Sequence, residues 1–134
     1  AIVQKVDSLE HELSYLKLSY ELETLYTDMT IFSNEMYGRA TDIRLMRLSG
    51  NYDSELAESY EGYYNSCKRK KQSIDELADI KKKNATLAIM YYPYTEDEFE
   101  LLIRRLKMLD YVSNVVDDTL IVLRESLNAY QKSK

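Results

Sequence analysis

Apolar positions in the last third of the chain, Phe99, Leu102, Leu106, Leu109, Val116, Leu120, Leu123, Leu127 and Tyr130, recur at alternating steps of three and four residues. Only Ser113 interrupts them. This spacing places one apolar stripe on a helix and predicts an element over about 96–131. Its start is written into the residues before it. Thr95 and Glu98 have the spacing of a capping box, and Tyr94 stands where it can staple onto Phe99. Pro93 disfavours helix at Tyr92, so most of "YYPYTEDEF" reads as corner chemistry, with Tyr92 alone left without a structural task.

A second helix is predicted over about 54–91. Its seam holds Leu56, Tyr60, Tyr63, Cys67, Ile74, Leu77, Ala88 and Tyr91, interrupted by Lys70, Lys81 and Asn84. Two readings of the interruptions remain open. Either the helix rotates so that Ile80 and Leu87 turn inward, or long lysine stems cover the edge of the core while their ammonium groups reach water.

The first helix is predicted over about 2–48. Its apolar positions are Ile2, Val6, Leu9, Leu13 and Leu16, then Leu18, Leu22, Leu25, Met29, Phe32, Met36, Ile43 and Met46. The register shifts between Leu16 and Leu18. A wide apolar face touching two neighbours accommodates such a shift better than a two-stranded coiled coil does. Residues 30–34 and Gly38 lower helix propensity, so a kink is expected near residues 30–38, and a full break would leave a short fourth helix over 39–48. Gly50 then ends the helix, with Asp53 or Ser54 capping the next.

The fold class expected is all-α: an elongated antiparallel bundle of three helices, up-down-up, the first helix longest at about 70 Å and the others nearer 55 Å. Any overhang of the first helix would be a place for a partner to pack. The layout resembles the spectrin repeat in outline, but the chain has no tryptophan to build a tryptophan seam, and no family follows from the resemblance.

Composition agrees with long helices in one domain. Three glycines and one proline punctuate 134 residues, and no compositional break divides them. A net charge of −5 gives no bulk cationic field, so nucleic acid is not the expected partner. No apolar run is long enough to cross a bilayer. Cys67 is the only cysteine, which excludes a disulfide scaffold. The chain begins Ala-Ile-Val rather than with Met, and on that start the reading leans toward an exported protein, with a cytoplasmic one as the alternative.

Candidate chemistry is thin. A nucleophilic pair would need Cys67 beside His11, the only histidine, yet antiparallel pairing sets Cys67 opposite residues near 36. Inward Glu-x-x-His motifs, which helical di-metal sites use, are absent. The glycines are too far apart for a phosphate loop, and one Cys with one His cannot make a zinc site. No catalytic residue, metal ligand or cofactor is therefore assigned, and the expected protein is not an enzyme.

Two surface features remain. Lys68, Arg69, Lys70 and Lys71, then Lys81, Lys82 and Lys83, lie on the second helix, and the corner at Pro93 folds Arg104 and Arg105 toward them. Such a belt could meet a lipid surface, a polyanionic glycan or a nucleic-acid backbone. The same geometry brings Glu21, Glu23, Asp117 and Asp118 alongside, which predicts internal neutralisation. The 13 tyrosines are the other feature. Tyr15, Tyr26, Tyr64 and Tyr92 fall on predicted flanks and are the candidate contacts of a helical interaction module, with a protein partner or a second copy.

Overall fold

The computed structural model describes the backbone of residues 2–134 and the side chains from Leu9 onward. Three helices account for nearly all of it: α1 (Ile2–Leu48), α2 (Ser54–Tyr91) and α3 (Glu96–Lys132). Among the described residues there is no strand. The predicted boundaries match within a residue, and α1 runs unbroken through residues 30–38, so the short fourth helix does not form.

Side-chain pairs fix the directions. His11 meets Glu98 and Ser33 meets Thr119, so α1 and α3 run parallel. Glu21 meets Lys81 and Asp117 meets Lys71, so α2 runs antiparallel to both. The result is an up-down-up bundle in which α1 and α3 pack most closely and α1 and α2 least.

The core follows the α1 stripe Leu18, Leu22, Leu25, Met29, Phe32, Met36, Ala40 and Ile43, all buried. From α3 come Leu102, Leu109, Val112, Val116, Leu123, Leu127 and Tyr130. Two polar layers cross it. The Ser33 hydroxyl donates to Thr119 Oγ1 at 2.9 Å, because Thr119 spends its own proton on the Val115 carbonyl. Arg44 Nε donates to Ser126 Oγ at 3.1 Å, which donates in turn to the Val122 carbonyl. Buried hydroxyls are thereby satisfied.

On α2 the inward positions are small or amphipathic: Ala57, Tyr60, Cys67, Ala78 and Ala85. Ile80 and Leu87 do not replace the interrupting lysines, because both are exposed. Lysine stems cover the edge instead. Lys70 Nζ lies 4.6 Å from the Phe32 ring centre, and Lys81 reaches Glu21 at 3.2 Å. Leu77 and Tyr91, placed on the seam by spacing, are also exposed, at 44% and 82%.

The two connections differ. Gly50 takes φ +76°, the left-handed conformation that ends α1. Asp53 caps α2 by accepting from the backbone N–H groups of Glu55 at 2.9 Å and Leu56 at 3.2 Å. Tyr130 at the far end of α3 locks this turn, its hydroxyl accepting from the Asp53 N–H at 3.0 Å while its ring packs on Tyr52 and Tyr60. At the other connection the predicted capping box forms: Thr95 Oγ1 accepts from the Glu98 N–H, and Glu98 Oε1 accepts from the Thr95 N–H.

Candidate functional site

The largest departure from the expected pattern lies in the first third of α1. Leu9, Leu13 and Leu16, assigned to the inward seam by their spacing, are 53%, 65% and 54% exposed, and Tyr20 is 70% exposed. Ile2 and Val6, assigned to the same seam, lie outside the residues whose side chains are described. Leu18 onward is buried. The register shift is therefore a change of face. Residues 9, 13, 16 and 20 sit about half a helical turn away from Leu18, Leu22 and Leu25 at 100° per residue.

The face that does meet the bundle in this third is polar. His11 Nε2 lies 3.0 Å from Glu98 Oε1, and Ser14 shares a hydrogen bond of 2.7 Å with the Tyr94 hydroxyl. His11 also packs edge-on against Tyr94 at 4.8 Å, and Tyr15 does the same at 5.9 Å. Glu98 is held below the usual carboxylate range, chiefly by the Thr95 N–H it accepts from and then by His11. The corner thus clamps α1 by hydrogen bonds and ring edges, leaving its leucines facing out.

Because His11 lies level with the corner, α1 continues past the other two helices for about 13 Å. Next to it, α2 exposes a second ridge at helical spacing, Leu77, Ile80, Leu87 and Tyr91. Between the helices runs an open groove whose lining includes Leu13, Lys17, Asn84, Ala88 and Tyr92. Phe99, expected on the seam of α3, is 44% exposed and lines a shallow depression with Tyr91, Pro93 and Tyr94. This end of the molecule therefore gathers most of its large exposed apolar side chains.

The tyrosines singled out by sequence lie half-buried against the bundle. Tyr15 and Tyr94 meet at the corner, and Tyr26 packs on the core. Tyr64 lies under the Arg124 guanidinium at 4.9 Å. Tyr92 is the C-cap of α2 and touches Tyr91, Tyr94 and His11, which supplies the structural task its position had lacked. More exposed are Tyr20, Tyr37, Tyr91 and Tyr111. Spacing could have found the leucine stripe, since the step from Leu16 to Leu18 already marks the change of face.

The basic belt is largely engaged within the molecule. Lys71 reaches both Asp75 and Asp117 at 2.5 Å, Lys81 pairs with Glu21, Lys82 with Asp110, and Arg105 with Glu23 at 3.3 Å. Lys70 covers Phe32. Among the described residues Lys68, Arg69, Lys83 and Arg104 make no ion pair, and they are exposed.

Cys67 is buried beside Tyr63, in the neighbourhood of Glu35 and Arg39, and burial pushes its thiol up from its ordinary value. The Tyr63 hydroxyl, desolvated and hydrogen-bonded to Cys67, is pushed up to about 12. His11 lies some 36 Å away along α1 from the level of Glu35. Among the described residues no three His, Cys, Asp or Glu side chains converge to hold a metal, and no helix is long and apolar enough to cross a membrane. Neither the sequence, compared with family models and with curated proteins, nor the fold, compared with solved structures, finds a match.

Proposed function

We propose that this chain is a non-catalytic docking module that uses the outward apolar stripe at the start of α1 to pack against another helix. One observation carries the reading. In its first third α1 turns its polar face to its own bundle and its leucines to the outside, an arrangement that wastes apolar burial unless a further surface covers the stripe. The exposed ridge on α2 and the groove beside it widen the surface that a partner helix would meet.

The test is the triple variant Leu9→Glu, Leu13→Glu, Leu16→Glu. A docking stripe contributes little to the isolated bundle, so at concentrations too low for any association helicity and melting temperature should stay within about 2 °C of the wild type. Association, with itself or with a helical partner, should be lost. A fall of many degrees in melting temperature would make the stripe part of the bundle's own core and sink the reading.

A further inference from the structure

We infer that the partner of this stripe is the same stripe of a second copy, joined in a parallel two-stranded coiled coil over the start of α1; this rests on the docking reading above. The heptad is legible in the residues. Ile2, Leu9 and Leu16 take one seam position (d), and Val6, Leu13 and Tyr20 the other (a), with Leu predominating at d and a β-branched residue at one a. Among the described residues the stripe is confined to a and d with charged or polar residues on both flanks, the narrow seam of a coiled coil. His11 and Leu18 fall on the side farthest from the seam, and they face the bundle, so the bundle does not obstruct a second helix on the leucine side.

The flanking charges select the orientation. In this frame Lys5, Glu12 and Ser19 occupy the g positions, and Glu10, Lys17 and Thr24 the e positions. In a parallel pair each g residue meets the e residue five positions later on the second copy. Glu12 then meets Lys17 on both sides of the two-fold axis, and Ser19 meets Thr24. The charged contacts are of opposite sign. Among the described residues Glu10, Glu12 and Lys17 are exposed and make no ion pair within their own chain.

An antiparallel pair that overlapped the whole stripe would centre on residue 11. It would set Glu10 against Glu10 of the second copy and Glu12 against Glu12, which costs rather than stabilises. After Tyr20 the outer face becomes Glu23, Thr24 and Thr27, so the two helices part and the bundles diverge. The assembly is two rods joined along one end.

Sedimentation equilibrium over a wide concentration range tests the stoichiometry, and two sets of variants test the geometry. The expected result is a reversible dimer that Leu13→Glu abolishes. Lys17→Glu should weaken it about tenfold, and the exchange Glu12→Lys with Lys17→Glu should restore it, because the ion pairs reform with their signs reversed. In a Cys67→Ala background, Leu16→Cys should form a disulfide-linked dimer under mild oxidation, since only a parallel pair places residue 16 against itself.

A monomer at every concentration would overturn the second-copy proposal yet leave the docking reading to the triple-glutamate measurement. A dimer indifferent to Leu13→Glu and Lys17→Glu would overturn the second-copy proposal, because its interface would lie elsewhere, and would leave the docking reading to the same measurement. A dimer sensitive to Leu13→Glu in which Leu16→Cys does not crosslink would overturn the parallel register.

Discussion

The two ends of the rod use the same residue types to opposite effect. At the Gly50 turn, Tyr52, Tyr60 and Tyr130 stack around one another, and Tyr130 is fully buried with its hydroxyl spent on the Asp53 N–H. At the Pro93 corner, Tyr91, Tyr92 and Tyr94 also touch in series, but Tyr91 is 82% exposed and the cluster is tied to α1 through His11 and Ser14. Geometry causes the difference. At the turn all three helices stop at one level and enclose a ring from every side. At the corner α1 continues beyond its neighbours, so the end is open, and the face it turns to them carries His11 and Ser14 while its leucines stay exposed.

The sharpest way to break this comparison is to delete a ring at each end. Tyr130→Ala should cost about 3–5 kcal/mol, seen as a lower urea midpoint, because it leaves a cavity and strips the Asp53 N–H of its acceptor. Tyr91→Ala should stay within about 0.5 kcal/mol. Equal losses would mean that the corner is as closed as the turn.

A second contrast lies within α1. Leu22→Ala, on the buried stripe, should cost about 2–5 kcal/mol, whereas Leu13→Ala should stay within about 0.5 kcal/mol in dilute solution. If the two variants melt alike, the change of face at residues 16–18 is wrong.

The clamp at the corner gives a smaller, pH-dependent effect. Thr95→Ala should cost about 0.5–2 kcal/mol. Because the folded state holds Glu98 below the ordinary carboxylate value, its contribution is present above that range. It is lost as the pH falls through the depressed folded value, where the carboxylate takes up its proton. Glu98→Gln should therefore flatten the stability profile on its acid side relative to the wild type. An unchanged slope between neutral and acid pH would show that Glu98 is not held as described.

The smallest effect is expected from the belt. Lys82→Ala, removing an ion pair whose Asp110 partner is 67% exposed, should cost at most about 1 kcal/mol and less as salt rises. Heparin retention at low salt should be slight, since most of the cations already face a carboxylate or a ring. Strong retention lost on changing Lys68 and Arg69 to Glu would restore the anion-binding reading.

Much of this was legible from spacing alone. The three helices, both caps, the turn at Gly50 and the pairing of Lys81 with Glu21 and Lys71 with Asp117 follow from a period of 3.6, a few capping residues and the fold-back at two corners. What a one-dimensional stripe cannot say is which way it points. Leu9, Leu13 and Leu16 carry the same periodic signal as Leu22 and Leu25, and Tyr91 the same as Tyr60, because periodicity records the existence of an apolar face and not its neighbour.

Length and apolar spacing by themselves determined the helices, their order and the elongated shape, since these depend on local hydrogen bonding and on how far each face extends. Only the tertiary structure decided which face is covered. That choice depends on which side of α1 the neighbouring helices occupy: at His11 and Ser14 the corner takes the face opposite the leucines, so the stripe at its start is left uncovered, while further along the same kind of stripe falls on the covered face and becomes the core.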